Sequence, residues 1–152
     1  MTPSFDLKIV QAEWVLRLIH TDDLPSIAIQ ALSSRIESKS LVQLAGLSRE
    51  ELPEARDLFE RSLGELGCKD MSKTDALKYY AKKVSTLILE TKITPLEGAR
   101  RIWQATLKSG SNEFHDLDGF IYAASEIEDR PKDKSLFEKG IIEEARCWID
   151  FE

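Results

Sequence analysis

The sequence predicts an all-α fold, and three observations carry that prediction. Period-2 alternation of apolar and polar residues, which a half-buried strand needs, is almost absent. The seven glycines and five prolines stand mostly where helices would begin or end. Ser48 to Glu51 and Thr94 to Glu97 spell capping boxes, in which a hydroxyl and a carboxylate three residues apart satisfy each other's backbone amides. The 152 residues fit one domain, residues 1–152, and 42% hydrophobic residues suffice for a core. The expected architecture is a single-domain bundle of about seven or eight helices, and the helix pairs before residue 67 leave a partly solenoid-like arrangement open.

The first helix is expected from about Asp6 to His20, with Ile9, Ala12, Leu16 and Ile19 on one stripe and Val15 and Leu18 widening it, as in a central helix. Asp22 or Asp23 caps a second, which has Pro25 in its first turn, runs to about Ile36 and turns Ile27, Ala28, Ala31 and Leu32 inward. A short third covers Ser40 to Ala45 and closes at Gly46. The Ser48 box opens a fourth, which Pro53 divides into a leading turn and a main helix, and which stops at Gly67 as a left-handed cap. Ser72 with Asp75 opens a fifth, in which Leu77, Tyr80, Val84, Leu87 and Ile88 fall at helical spacing. Thr94-Pro95-Leu96-Glu97 starts a sixth, which buries Leu96, Ala99, Trp103 and Leu107, meets a close neighbour at Gly98 and ends near Gly110. Asp118 caps a seventh, Gly119 to Glu128, with Phe120, Ala123, Ala124 and Ile127 facing in. Arg130-Pro131 stops it, and Lys134 to Ile149 forms the eighth, packed through Phe137, Ile141, Ala145 and Trp148.

The formal net charge of −6 argues against nucleic acid as a partner, because phosphate binding needs a surplus of Lys and Arg on one face. Its distribution says more. Residues 1–112 hold 16 basic and 15 acidic groups, whereas residues 113–152 hold 5 basic and 12 acidic ones. Cys68 and Cys147 form no metal-ligand spacing, and their simplest role is as small buried or half-buried thiols. The apolar stretch Ile9 to Ile19 is broken by Gln11, Glu13 and Arg17 and lacks a cleavage site, so it reads as an amphipathic helix and not a signal peptide. No run of eighteen apolar residues occurs, which predicts no membrane span and makes the cytoplasm the expected location.

Few residues of the chain form a pattern that carries chemistry. Nucleotide-binding glycine loops, HExxH and GxSxG are missing, and the expectation leans away from an enzyme. His115-Asp116 resembles the central dipeptide of the HD phosphohydrolases, but that family needs further histidines and this chain adds only His20. Glu50, Glu51 and Glu54 read E-E-x-x-E, and Glu126 with Asp129 reads E-x-x-D; carboxylates three or four apart on a helix share a face on which Mg²⁺ can be held. The pattern resembles that of the all-α nucleoside triphosphate pyrophosphatases of the MazG kind, which would imply a Mg²⁺-dependent nucleotide hydrolase. It departs from them in the long separation of the two halves and in Pro53. First-turn carboxylates such as Glu50 and Glu51 are also explained by the helix dipole alone.

The acidic segment is the stronger signal. Glu126, Glu128 and Asp129 fall in the last turn of the seventh helix, where carboxylates oppose the dipole. Asp118, Tyr122, Glu126 and Asp129 follow one another at steps of four, four and three, so they share one face. Together with Asp116 and Glu128 they form the expected partner-binding set, an aromatic with a polar tip amid acids, suited to a basic protein partner. The competing explanation is internal neutralisation, by Arg130, Lys132 and Lys134 just beyond or by Arg100, Arg101 and Lys108 on the sixth helix. His115 has a plainer reading as a turn residue, and Trp14, Trp103 and Trp148 as core. Tyr79, beside Lys82 and Lys83, is a second contact candidate.

Leu41-Val-Gln-Leu-Ala-Gly-Leu47, Thr94 to Trp103 and Phe114 to Pro131 together resemble a family of small bacterial helical proteins without an assigned activity. The resemblance implies a bacterial, cytoplasmic, single-domain protein and brings no catalytic residue with it. The function expected is a protein–protein interaction module, in its most concrete form an immunity or antitoxin-like inhibitor covering the basic cleft of a nuclease. The alternatives are the Mg²⁺-dependent hydrolase and a homodimeric assembly protein.

Overall fold

The structure, a computed structural model, describes residues 5–110 and 114–150. It is all-α: the described residues form helices α1 (Leu7–Val15), α2 (Leu24–Ser33), α3 (Lys39–Ala45), α4 (Ala55–Glu65), α5 (Lys73–Leu89), α6 (Pro95–Ser109), α7 (Asp118–Asp129) and α8 (Lys134–Asp150). Short 3-10 turns precede α2, α4 and α8, at Thr21–Asp23, Arg49–Glu54 and Pro131–Asp133. The chain divides into two compact units, Met1–Met71 with α1 to α4 and Ser72–Glu152 with α5 to α8.

The N-terminal unit is made of short helices, 7 to 11 residues long. Isolated helices below about 12–15 residues are marginal in water, so packing and caps must hold these. The packing is leucine-rich. Val10, Leu24, Leu41, Leu44, Leu58, Phe59 and Leu63 cluster with Ala28, Ala31 and Ala55, and the Trp14 ring meets Phe59 edge-on at 5.3 Å. The caps are side chains at the helix starts. Asp6 accepts the Ile9 amide at 3.1 Å, Ser38 accepts that of Leu41 at 3.1 Å, and Glu51 reaches back to the Ser48 amide at 3.0 Å. Glu65, at the end of α4, adds a tie to the start of α3: its carboxylate accepts the Ser40 amide at 3.0 Å and the Ser40 hydroxyl at 2.6 Å. Both bonds favour the charged form and hold the Glu65 carboxyl below its ordinary value.

The helix ends are where the sequence misleads. α1 stops at Val15 rather than near His20, and α2 at Ser33 rather than Ile36. At each end the chain turns through a left-handed residue, Arg17 at φ 63° and Arg35 at φ 65°. The Leu18 amide bonds the Glu13 carbonyl at 2.8 Å and that of Ile36 bonds Ala31 at 3.0 Å, closing the six-residue loop of a Schellman motif. Glycine is the usual signal for this turn, as at Gly67 after α4, and an arginine gives none. Pro53 does divide the fourth element, because the leading turn that holds it is 3-10 and not α.

In the C-terminal unit the helices run 12 to 17 residues. α5 packs on α6, α6 on α7, α7 on α8, and α8 returns to α5, which closes a four-helix arrangement. Its inner surface is small. Ala76, Ala81, Ala99, Ala105, Ala123, Ala124 and Ala145 are buried around Leu77, Val84, Ile102, Phe120 and Ile141. Thr94 caps α6 by accepting the Glu97 amide at 3.1 Å. Gly98 is needed for close approach: a Cβ there would lie 2.6 Å from Ile88 Cγ1. On α6 the buried stripe is Ala99, Ile102 and Ala105, so the expected stripe is rotated; Trp103 and Leu96 are half-buried and Leu107 is 63% exposed. A helix flanked on two sides buries the small residues between its neighbours and leaves large ones at the margin. Cys68 is half-buried, but Cys147 is exposed on α8. Among the described residues no helix is long and apolar enough to cross a membrane.

Candidate functional site

The acidic residues singled out from the sequence gather around α7. Phe120, Ala123, Ala124 and Ile127 turn inward as expected, so the opposite side faces solvent. Asp118 is the first residue of the helix rather than its cap, and there its charge favours the dipole. Its carboxylate lies 3.1 Å from His115 Nδ1, which makes the histidine a turn residue engaged with its own helix start. Tyr122, one turn on, is 60% exposed, and its ring is propped edge-on by Phe137 of α8 at 6.1 Å. Asp116 and Asp129 are exposed and make no ion pair among the described residues.

Two of the three acids that oppose the dipole are paired. Glu126 sits 3.2 Å from Arg130, the residue that ends α7, and Glu128 sits 3.8 Å from Arg100 of α6. Arg101 contributes nothing to this, because it pairs with Glu97 on its own helix at 3.1 Å. Internal neutralisation therefore accounts for part of the set. Of the six residues, Asp116, Asp118, Tyr122, Glu128 and Asp129 are exposed, and of the carboxylates Asp116 and Asp129 make no ion pair among the described residues. Tyr79 is half-buried on α5.

Charge is divided unevenly along the C-terminal unit. Residues 72–112, which hold α5 and α6, carry 8 basic and 3 acidic groups, against 5 and 12 in residues 113–152. Exposed large apolar side chains, Ile29, Val42, Leu107 and Leu136, are spread over α2, α3, α6 and α8.

The other carboxylate set is arranged differently from expectation. Glu50, Glu51 and Glu54 stand on a 3-10 turn, not an α-helix, so Glu51 and Glu54 share a side and Glu50 does not. Glu51 is committed to Ser48, whose amide and hydroxyl hold its carboxyl below the ordinary value. Glu51 and Glu54 line a groove of about 680 Å³ together with Asp57, a residue the sequence did not single out. Glu126 and Asp129 belong to the other unit. Among the described residues no three His, Cys, Asp or Glu are grouped so as to hold a metal ion.

One further concavity lies in the N-terminal unit, a cleft of about 880 Å³ lined by residues of α1, α4 and the segments that follow them. Gln11 is on its wall, only 7% exposed, with Nε2 donating to the Lys69 carbonyl at 2.7 Å. The sequence shows Gln11 as an interruption of an apolar stripe, and that was the available signal. Comparisons with protein-family models, with curated proteins and with solved structures find no match to this chain.

Proposed function

We propose that the chain is a protein–protein interaction module whose contact is the outward face of α7, centred on Tyr122, and whose partner presents a basic surface. The observation that carries this reading is Tyr122 itself. A tyrosine left 60% exposed yet propped by a neighbouring ring has little rotamer freedom to lose on binding, and Asp118, one turn before it, and Asp129, two turns after it, share its side of the helix. Exposed acids steer a basic partner and set the association rate, while a central aromatic sets the lifetime. An inhibitor covering the basic cleft of a nuclease, of the immunity or antitoxin kind, is the concrete version of this proposal.

The test is affinity capture from the native host, followed by kinetics with whatever partner is retained. Tyr122→Ala should weaken that complex by about 2 kcal/mol or more, chiefly through faster dissociation. Replacing Asp118 and Asp129 by Lys should instead slow association and flatten its salt dependence. A partner that binds both variants as it binds the wild type overturns the proposal. A chain that light scattering shows to be a dimer through this face would replace it with self-assembly.

A further inference from the structure

The cleft of the N-terminal unit carries a second inference, independent of the α7 face. Its volume of about 880 Å³ falls in the range of small-molecule sites, and Trp14, Val15, Ile19, Leu63 and Met71 give it an apolar patch within a lining that His20, Glu60 and Asp70 make polar elsewhere. Trp14 is fixed by its contact with Phe59. Against this patch stand two polar groups with unused capacity. Gln11, more than nine-tenths buried, has its amide nitrogen engaged with Lys69, which leaves Oε1 as an acceptor without a partner among the described residues. Arg17 lines the same cleft, is exposed, and makes no ion pair among the described residues. The other arginine there is spoken for, since Arg56 pairs with Glu60 at 3.4 Å. Cys68 adds no reactivity, because burial raises its thiol pKa and keeps it protonated.

An apolar patch, an unpartnered amide oxygen and a free guanidinium define a complementary ligand: an apolar body carrying an N–H donor and a carboxylate. We infer that the cleft binds a short apolar peptide with a free C-terminus, its carboxylate on Arg17 and an N–H on Gln11 Oε1. Arg17 occupies the left-handed position that glycine fills at Gly67. Arg35 and Thr91 do so as well, so the turn alone does not distinguish Arg17; its place in the cleft does.

That backbone also supplies a clean test, because Arg17→Gly removes the guanidinium at a position whose φ suits glycine, and the fold is kept. Titration calorimetry of the intact protein with leucyl-leucine should show binding, with the C-terminal amide of the same dipeptide about tenfold weaker. In Arg17→Gly the acid and the amide should bind equally, at the weaker level. Hexanoate, which has a carboxylate and an apolar chain but no N–H, should bind less well than the dipeptide. No heat with leucyl-leucine at millimolar concentration, equal affinity for acid and amide in the wild type, or unchanged affinity in Arg17→Gly overturns the inference. Hexanoate binding as tightly as the dipeptide overturns the peptide assignment.

Discussion

The two units solve the same problem, burying apolar surface between helices, with opposite materials. The N-terminal one joins short helices through large side chains, Leu24, Leu41, Leu44, Leu58 and Phe59, and adds polar fastenings such as Glu65 on Ser40. The C-terminal one has longer helices that carry more of their own hydrogen bonding, and it brings them together over alanine and glycine. Short helices gain stability mostly from outside themselves, so they need wide leucine contacts and caps. Long helices are better served by close backbone approach, which small residues allow. The difference shows in the concavities as well: knobbed leucine packing of short, irregularly ended helices leaves the 880 Å³ cleft beside α1 and the groove beside Glu51.

The contrast implies that the N-terminal unit suffers most from lost volume and the C-terminal unit from added volume. The largest effect is expected for Leu44→Ala, at a fully buried site between α2, α3 and α4, which should cost about 2–5 kcal/mol in urea denaturation. A cost under about 1 kcal/mol would show that this core collapses around the gap. Gly98→Ala is the counterpart in the other unit. Its new methyl group must displace the buried Ile88 side chain, and a loss of about 1–3 kcal/mol is expected. Gly119→Ala meets only the end of the Glu144 side chain, which can swing away, so it should be far milder. If the two glycine variants melt alike, close packing is not what Gly98 serves.

A smaller effect of opposite sign is expected at Ser85. Its hydroxyl is buried on α5 without a hydrogen-bond partner among the described residues, and Ser85→Ala should stabilise the protein by about 1 kcal/mol, read as a raised denaturation midpoint with an unchanged slope. The subtlest difference is in pH dependence. Glu65 has its folded-state pKa lowered by the Ser40 hydroxyl and amide, so its contribution is complete above the ordinary glutamate range. It is lost as pH falls through the lowered folded value. Glu65→Gln should therefore flatten the acid limb of the stability profile while leaving the Gly98 and Ser85 results unchanged; an acid limb identical to wild type would show that the tie to α3 is not charge-assisted.

Much of the helical map was legible because its signals are local. Ser72 with Asp75 and the inward set of α7 stand as read, since a cap or a stripe depends on residues within a turn or two, and Thr94 caps α6 as expected although Glu97 turns its carboxylate to Arg101 instead of closing the box. The early ends of α1 and α2 were not legible. An arginine in a left-handed turn is stabilised by the Schellman bonds and by what packs behind it, and no residue type announces that. Leu107 was misplaced because a helix with neighbours on two sides has no single stripe to read. Of the α7 face, the spacing of Asp118, Tyr122 and Asp129 was legible. That Arg100, among the candidate cations of the sixth helix, is the one that meets Glu128 was not, being a contact between residues far apart in the chain.

What the sequence determined by itself, then, is the all-α class, most helix starts and the sign of each segment's charge, because these follow from neighbouring residues. How the charge is grouped was decided by tertiary structure. Along the chain, a nearly neutral stretch of 112 residues precedes an acidic tail. The fold divides the chain instead after Met71, giving 8 basic and 12 acidic groups to the N-terminal unit and 13 and 15 to the C-terminal one. The basic helices α5 and α6 thereby share a unit with acidic α7 and α8. Electrostatic interaction acts through distance in space, so which charges oppose one another is fixed only when the helices are packed.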